Sequence, residues 1–533
     1  MKTEEDQLTK KAQIAAASGA LFGILDKPVQ VSLTCRISKS KFVAGLQCAK
    51  RLYLQVHQPQ LAKVTDQFNK DQGAAVGVLA RNLFRGGVLV DADRNHVAQA
   101  VRATRELVNN SEVSAIFEAT FRHDGVLVQV DVLRRIGKKP EFQLIEVKSS
   151  TDAKPYHLQD LSIQNYVLRG AGVCVNSNHL MRVNPDYVFN GHLELSELFL
   201  IEEVPSNRLL TRSAISEILN EQYRMLCRPE PPNIEPGSFC KIPYRCEFFD
   251  YCHIAQDQDD LRSLPIPAHK IQTLLHNGLI SVSELPNTIH LRLYWHFTNS
   301  ECSRVDAARR ARTSGLSVDP RLRAELASIK YPVAFTDFET LAPAVPRFRG
   351  MKPYEPIPIQ WSVHLQGHED GGLEHNEFLA PDGHDPRRLF LESLSGAVGS
   401  ARSIVVYGSY ETTQLANLSR WLPEFASTIS SIKSRLVDLQ PIIRRNVYSP
   451  AFLGSYSIKR VLPVLVRGMN YADLQVQSGD EVGRVWEQSC AVDIGGPEKA
   501  GLRQALLDYC ARDTLGLAHL VDALRQYADT RKS

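Results

Sequence analysis

Residues 333–340 read VAFTDFET, an apolar run that turns into an Asp-x-Glu pair at Asp337 and Glu339. In a β-strand the side chains of residues i and i+2 point to the same face, so these two carboxylates are expected to project together. Neighbouring carboxylates repel each other unless a cation lies between them, and Mg²⁺ takes oxygen ligands of this kind. The stretch therefore predicts half of a divalent-metal site. The alternative is a strand end that carries two exposed acids.

A second pattern of this kind occurs in residues 507–514, which read LDYCARDT at the start of a long helical pattern. Tyr509 and Asp513 are four positions apart, so they share one face of a helix. By itself such a pair is usually structural. A strand with Asp-x-Glu followed in the chain by a helix with Tyr-x-x-x-Asp is, however, what a two-metal exonuclease requires.

The alternation of predicted strands and helices places both patterns in one α/β unit, residues 331–533. Strands are predicted at residues 333–338, 359–365 and 403–407, and helices at 386–398, 412–418 and 502–527. This unit resembles the DnaQ-like exonucleases of the DEDD class, which have an RNase H-like fold. The resemblance implies two divalent ions, Mg²⁺ or Mn²⁺, held by Asp337, Glu339, Glu411 and Asp513.

Three details of this resemblance concern single residues. Glu411 stands where the class normally has aspartate, in the second motif. Asp438 falls where these enzymes often place an auxiliary aspartate and is a further candidate metal ligand. The resemblance also implies that Tyr509 orients the attacking water.

The most informative stretch of the first half is a predicted hairpin. Two apolar strands, residues 125–133 and 142–148, flank a turn at 137–140. Centring the hairpin on that turn places Asp131 opposite Glu146, with Lys148 on the same face. Opposed residues lie about 5 Å apart and opposed like charges destabilise a hairpin, so the pair predicts a bound metal ion. Acids placed by chance on a half-exposed hairpin are the alternative.

Asp131 followed by Glu146-Val147-Lys148 resembles the RecB-like branch of the PD-(D/E)xK nucleases, which have a restriction-endonuclease-like fold. The resemblance implies that Asp131 and Glu146 bind Mg²⁺ and that Lys148 assists the attacking water. Glu118 is expected at the supporting acidic position. The next predicted helix carries three residues that do not match the family's Gln-x-x-x-Tyr spacing, namely Gln159, Gln164 and Tyr166.

Residues 239–252 read FCKIPYRCEFFDYC, which gives a Cys-x5-Cys-x5-Cys pattern at Cys240, Cys246 and Cys252. Iron–sulfur clusters use four cysteine thiolates, and this spacing differs from that of most zinc sites. RecB-like iron–sulfur nucleases combine one early cysteine with a late triplet, so the resemblance implies a [4Fe–4S] cluster with Cys48 as the fourth ligand. Zinc and free buried cysteines are the alternatives, and Cys35 and His253 are alternative fourth ligands.

The remaining cysteines are expected to be ordinary buried residues, because ten cysteines in 533 residues are too sparse for a disulfide scaffold. A cluster would imply a reducing, cytoplasmic setting. The sequence contains no run long enough to span a membrane, and a signal peptide is not expected in residues 12–25.

A net charge of +3 neither requires nor excludes nucleic acid, so any basic surface must be local. One candidate is the arginine-rich stretch 304–323, which suits a phosphate backbone or a solvated helix. Another is a predicted helix at residues 38–54 with Lys39, Lys41, Lys50 and Arg51 on its polar face. We expect that face to be solvated.

The sequence thus predicts an α/β protein in four parts. They are a leader (1–36), a RecB-like domain with the cysteines (37–262), a helical connector (263–330) and a DnaQ-like domain (331–533). The connector's helix–glycine–helix rhythm at residues 266–286 weakly resembles a helix-hairpin-helix, and a packing connector is favoured over it. The whole order resembles an uncharacterised bacterial family of such fusions.

This organisation predicts a nuclease that trims nucleic acid from 3′ to 5′, with DNA favoured over RNA. The alternatives are a nucleic-acid-binding or scaffold protein with one or both sites inactive, and a zinc-stabilised interaction protein.

Overall fold

The computed structural model describes residues 37–529, apart from 64–66, 92–95, 253–258 and 492. The predicted leader therefore lies outside the described residues. The chain is mixed α/β, as the sequence predicts. Among the described helices, none combines the length and the apolar character that crossing a membrane requires.

The strands of the described chain fall into two large sheets and one short pair. They are β1 Ile37–Ser38, β2 Gly87–Leu89, β3 Ala115–His123, β4 Val126–Arg135, β5 Glu141–Lys148, β6 Cys174–Val183, β7 Phe199–Val204, β8 Ser317–Val318, β9 Val333–Leu341, β10 Ile357–Gln366, β11 Leu373–Leu379, β12 Ser403–Val406, β13 Leu436–Asp438 and β14 Val447–Tyr448.

The α-helices of the described chain surround these sheets. They are α1 Lys39–Gln47, α2 Ala49–His57, α3 Gln67–Arg81, α4 Val97–Asn109, α5 Pro155–Gly170, α6 Leu195–Leu198, α7 Arg212–Leu226, α8 Phe249–Cys252, α9 Ala268–His276, α10 Thr288–Tyr294, α11 Asn299–Ser314, α12 Leu322–Leu326, α13 Arg387–Ala397, α14 Tyr410–Trp421, α15 Ala426–Lys433, α16 Leu439–Asn446, α17 Ile458–Leu465, α18 Gly479–Ser489 and α19 Gly496–Asp529.

The N-terminal sheet has the strand order β2-β3-β4-β5-β6-β7, with β1 added parallel to β4. Strands β3, β4 and β5 are antiparallel, and β6 runs parallel to β5 after the crossover through α5. Val132 pairs with Ile145 and Arg135 with Phe142. This is the register predicted from the turn, so Asp131 and Glu146 follow one residue beyond the last pair.

The single helix predicted at residues 38–54 is wrong, because the chain forms two helices that meet at Cys48. Cys48 is extended, with φ −162° and ψ 122°. Its N–H donates to the carbonyl of Ala44, and its own carbonyl accepts from Leu52 N–H. One residue that ends the first helix and begins the second leaves the apolar spacing almost unchanged, so the interruption does not show in the sequence.

The connector has its own apolar cluster, which includes Leu274, Val282 and Leu291. Only α9 forms within residues 266–286, so the second helix of the weakly resembled helix-hairpin-helix does not form, whereas the apolar cluster fits the favoured packing connector. The Glu284 carboxylate accepts the backbone N–H groups of Ile280 and Ser281 at 2.7 and 3.0 Å. This local bonding satisfies the backbone in a turn instead of a second helix.

The C-terminal sheet has the strand order β11-β10-β9-β12-β13. Strands β9, β10 and β11 are antiparallel, whereas β12 is parallel to β9 and β13 is parallel to β12. Phe335 packs in the same cluster as Leu517 of α19, and Phe338 packs with Phe390 of α13 on the other face. Asp337 and Glu339 have the parity of Phe335, so they face the long helix α19.

The two sheet-bearing halves contact each other directly. The Gln72 side-chain oxygen accepts the Ala344 N–H at 2.9 Å, and the Tyr354 hydroxyl donates to the Ser149 carbonyl. Phe189 and Met351 share a backbone hydrogen bond of 3.0 Å. The halves are therefore packed together, which the sequence does not predict.

Candidate active sites

The strand β9 and the helix α19 bring three carboxylates together. One oxygen each of Asp337, Glu339 and Asp513 lies within 4.8 Å of the others. Glu411, in the first turn of α14, is almost fully buried and lies close enough to Asp337 for the two carboxyl groups to interact electrostatically. The structure thus unites the four residues that the sequence assigned to the three motifs.

The proximity of the four carboxylates and their removal from water raise their pKa values. Burial, together with neighbouring carboxylates, raises the pKa of Asp337 well above its usual range and that of Glu339 to about 8. Burial also raises the pKa of Glu411 to about 8 and that of Asp513 to about 6. Asp337, Glu339 and Glu411 therefore keep their protons near neutral pH, and a cation would allow all four acids to ionise together.

One atom of the cluster is especially informative. Glu411 Oε2 is buried, and no group of the described chain forms a hydrogen bond with it. A buried carboxylate oxygen without a partner is strongly disfavoured unless something else binds it. The donor set, all hard oxygens, fits Mg²⁺ or Mn²⁺.

Two tyrosines and a lysine surround Asp513. The Tyr471 hydroxyl donates to Asp513 Oδ1, and the Tyr509 hydroxyl lies close enough to Asp513 to interact with its carboxyl group. The Lys459 ammonium lies 4.8 Å from the centre of the Tyr509 ring and 5.4 Å from that of Tyr471. Tyr471 comes from the loop before α18, and no spacing in the sequence relates it to the motifs.

Asp438 lies at the edge of this cluster. Its Oδ1 accepts the N–H groups of Gly408 at 2.7 Å and Gln440 at 3.0 Å, so it caps α16. Its charge also raises the pKa of Glu411. The predicted auxiliary acid is therefore beside the cluster, where it positions the Gly408 turn that leads to Glu411.

The N-terminal acids are arranged differently. Asp131 accepts the Val147 N–H at 2.7 Å. Glu146 accepts from Lys39 and from Lys148, each at 2.8 Å, and from Gln164 at 2.6 Å. Lys39 therefore lies in the site, which corrects the expectation that it is solvated.

Charge balance in this site comes from lysines. Burial disfavours ionised Glu146, but Lys148 and Lys39 outweigh that effect and hold its pKa well below the usual range. Burial and Glu146 raise the pKa of Asp131 to about 7. The repulsion between Asp131 and Glu146 can therefore be offset by lysines instead of a metal ion. Repulsion between facing acids alone does not imply a bound metal here.

Two residues of the helix after β5 contribute to this site. Asp160 forms an ion pair with Lys148, and Gln164 is fully buried against Glu146. They are four positions apart on α5, so they share a face. Their spacing, with Asp160 and Gln164 four positions apart directly after the Glu146-Val147-Lys148 strand, was the signal in the sequence.

The predicted supporting acid, Glu118, has another partner. Its carboxylate accepts from Arg81 at 2.7 Å, and its φ is +54°. With this left-handed backbone Glu118 itself is not paired in the β3–β4 ladder, although its neighbours Phe117 and Ala119 pair with Val132 and Val130 in one register. Glu118 is thus bound to α3.

The four predicted cluster cysteines line one cavity: Cys48, Cys240, Cys246 and Cys252. Within the described chain the carboxylate group is the one set of three ligand residues whose atoms all lie within 4.8 Å, so no three of these sulfurs are that close. A zinc ion with Zn–S bonds of about 2.3 Å would draw its sulfurs to within about 4 Å of one another. Among the described residues the four cysteines therefore share a cavity without forming a closed set of sulfur ligands.

Burial raises the pKa of three of these thiols, including that of Cys246 to about 11. As thiolates they would need a positively charged partner. The alternative ligands Cys35 and His253 lie outside the described residues. Among the other cysteines, Cys302 and Cys510 are buried as expected.

Two further cysteines correct the expectation of burial. Cys174 and Cys227 are exposed, because the first begins the strand β6 and the second ends the helix α7.

Comparisons with known proteins give a family match without a function. Residues 334–457 match a family described as "Domain of unknown function (DUF2779)". A solved structure titled "Crystal structure of SSO0001" is 14% identical over 47% of this chain and 98% of its own, with a TM-score of 0.24, too low to support an argument. No curated protein matches the chain.

Proposed function

We propose that the C-terminal half is a divalent-metal-dependent 3′–5′ exonuclease that hydrolyses phosphodiester bonds in nucleic acid, with DNA favoured over RNA. The observation that carries this proposal is the convergence of four carboxylates with raised pKa values, of which Asp337 and Glu339 are half-buried and Glu411 and Asp513 are buried. The strand order, three antiparallel strands followed by two parallel ones, supports an RNase H-like fold.

The four carboxylates would hold Mg²⁺ or Mn²⁺, which when bound supply Lewis-acid stabilisation of the phosphodiester and activation of water. The chain's own groups have separate tasks. Tyr471 fixes the Asp513 carboxylate by donating to it. Tyr509 presents a hydroxyl beside the same acid and would orient the attacking water. The Lys459 ammonium adds positive charge that attracts a phosphate.

The proposal for the N-terminal half is a RecB-like PD-(D/E)xK module that acts on the same nucleic acid. Its support is the predicted register, which brings Asp131, Glu146 and Lys148 to one end of the β4–β5 hairpin. A second candidate role is nucleic-acid binding without cleavage. The observation that favours it is the Lys39–Glu146 ion pair, which occupies the carboxylate that a metal would need.

The cysteine cavity is proposed to hold a [4Fe–4S] cluster through Cys48, Cys240, Cys246 and Cys252. Such a cluster would supply four iron–thiolate bonds to the protein. Cys48 separates α1 from α2, whereas the other three belong to the segment 240–252. Its role would therefore be to tie the two early helices to the end of the module.

Hydrolysis by matched variants tests the proposal. The wild-type protein should degrade labelled single-stranded DNA or RNA with Mg²⁺ or Mn²⁺ and be inactive in EDTA. Asp337→Asn should lower the rate by about a hundredfold or more, since metal stabilisation is worth several kcal/mol. Asp508→Asn is the control, because it removes an exposed carboxylate from α19, the helix that carries Asp513. Equal rates for Asp337→Asn and the wild type would overturn the proposal.

A further inference from the structure

A polar cleft lies between the connector helix α11 and the helix α16 of the C-terminal half. Its lining includes five arginines, two aspartates and two tyrosines. Three of the arginines, Arg304 and Arg310 from α11 and Arg444 from α16, face one another across it. The cleft therefore joins the basic stretch of the connector to the candidate exonuclease.

These three arginines lack carboxylate partners within the described residues. Arg304 donates to the carbonyl of Pro265 at 2.7 Å, and Arg310 to the hydroxyl of Ser317 at 3.2 Å. No ion pair involves them or Arg444 in the part of the chain that the structure describes. The charges of Glu301 and Asp319 reach Arg304 and Arg310 from beyond ion-pair distance, so most of the positive charge is left for a ligand.

The acids of the cleft are already paired with other arginines. Asp319 binds Arg321 at 2.9 Å, and Asp306 lies 3.4 Å from Arg309. The remaining lining arginine, Arg445, binds Glu325, which lies outside the cleft. The net charge of the cleft is therefore positive.

The proximity of like charges has a measurable effect on Arg304. Burial, and next the charge of Arg444, lower the pKa of the Arg304 guanidinium. Arginine is well suited to bind phosphate, because its planar fork can donate two hydrogen bonds to it. An anion between the two side chains would offset their repulsion.

The position of α16 relates the cleft to the carboxylate cluster. The helix is capped by Asp438, whose charge acts on Glu411, and it carries Arg444 near its other end. A helix of 8 residues is about 12 Å long. Phosphates in one strand of B-DNA are about 3.4 Å apart along the axis, so this length corresponds to a few nucleotides.

We infer that Arg304, Arg310 and Arg444 form a subsite that binds the phosphate backbone of a single strand a few nucleotides away from the carboxylate cluster. This inference rests on the proposed function, and it makes the substrate a polynucleotide rather than a dinucleotide. The shape of the cleft selects for chain length, because a short substrate that fills the carboxylate site does not reach the arginines.

Binding without catalysis tests the subsite. The affinity of the full-length protein for fluorescent single-stranded DNA is measured by anisotropy in EDTA, with strands of three and of twelve nucleotides. The double variant Arg310→Gln/Arg444→Gln changes two exposed side chains and is therefore expected to fold. Arg312→Gln is the control, because this arginine lies on the same helix and pairs with Asp259.

The wild type should bind the twelve-nucleotide strand more tightly than the three-nucleotide strand. In the double variant we expect this ratio of affinities to be roughly tenfold smaller. The dependence of log K on log salt should fall by about 1.4, since each phosphate contact contributes about 0.7 for single strands. Arg312→Gln should show the same gain in affinity with strand length and the same salt dependence as the wild type. An unchanged length effect and salt dependence in the double variant would overturn the subsite.

The same experiment separates the two proposals. A wild-type protein that binds the long strand through these arginines but hydrolyses nothing with Mg²⁺ or Mn²⁺ would overturn the exonuclease and leave the subsite standing. If hydrolysis is lost in Asp337→Asn while the arginine variants bind normally, the exonuclease stands and the subsite is overturned.

Discussion

Tyr471 shows how the candidate metal site depends on a residue outside its motifs. Its hydroxyl donates to Asp513 Oδ1 in a buried position. Hydrogen bonds to a ligating carboxylate orient it, and their loss typically weakens metal binding by about 10- to 100-fold. Tyr471→Phe should therefore raise the Mn²⁺ concentration needed for half-maximal activity by this factor.

The control for that prediction is Tyr331→Phe, which removes a hydroxyl that bonds to Arg525 elsewhere in the same half. An unchanged Mn²⁺ requirement in Tyr471→Phe would mean that Asp513 is held by other contacts, or does not bind the ion.

The raised pKa values of Glu339 and Glu411 predict a dependence of stability on pH. The folded carboxyls titrate at about 8, whereas the usual glutamate value is 4.5. Between these values the folded state binds more protons than the unfolded state, so its stability falls as pH rises. Each group can contribute up to about 1.4 kcal/mol per pH unit.

Thermal unfolding in EDTA at pH 5.5 and at pH 8 checks this prediction. The melting temperature should be lower at pH 8, and saturating Mg²⁺ or Mn²⁺ should reduce the difference, because the ion replaces the protons. A melting temperature that rises with pH in EDTA would contradict the account of the cluster.

At the residue scale, spacing within one strand or helix predicted that Asp337 and Glu339, and likewise Tyr509 and Asp513, share a face, whereas Glu411 was implied by the resemblance to the DEDD class. It did not predict Lys39 or Tyr471. Their roles come from contacts between distant segments, such as Lys39 with Glu146, and no local pattern encodes these.

At the scale of elements, the helix interruption at Cys48 brings a distant cysteine to the cavity of Cys240, Cys246 and Cys252. Protein purified without oxygen should therefore be brown and contain iron and sulfide. Cys48→Ser should lower the iron content, whereas Cys227→Ser, an exposed cysteine at a helix end, should not. Colourless protein with stoichiometric zinc would contradict the cluster.

The elements differ in how well the sequence predicted them. The β4–β5 register follows from the turn and from alternating apolar residues, and it is confirmed by the pairing of Val132 with Ile145. The second helix of the weak helix-hairpin-helix resemblance does not form, because Glu284 bonds to the backbone at Ile280 and Ser281. A side chain that competes for backbone groups outweighs helical spacing over so short a segment.

At the scale of the whole molecule, Gln72 links the two halves. Its side-chain oxygen accepts the buried Ala344 N–H, and its amide group faces Glu487 of α18. Gln72→Ala would leave that N–H without a partner, which typically costs about 1–3 kcal/mol. The free energy of unfolding should fall by this amount in a denaturant titration.

Lys70→Ala, which changes an exposed residue of the same helix, should leave the free energy of unfolding nearly unchanged. Equal effects of the two variants would indicate that the halves do not depend on this contact. The interface itself had no signal in the sequence, because its residues are hundreds of positions apart.

We propose that the carboxylate cluster trims the strand, and that the N-terminal site with Lys39 and Lys148 does not. The most direct test is the product ladder from a 5′-labelled single strand with Mn²⁺, compared for Asp337→Asn and Lys148→Ala. The account predicts that the ladder disappears in Asp337→Asn and persists in Lys148→Ala. A ladder that persists in Asp337→Asn and disappears in Lys148→Ala would contradict it.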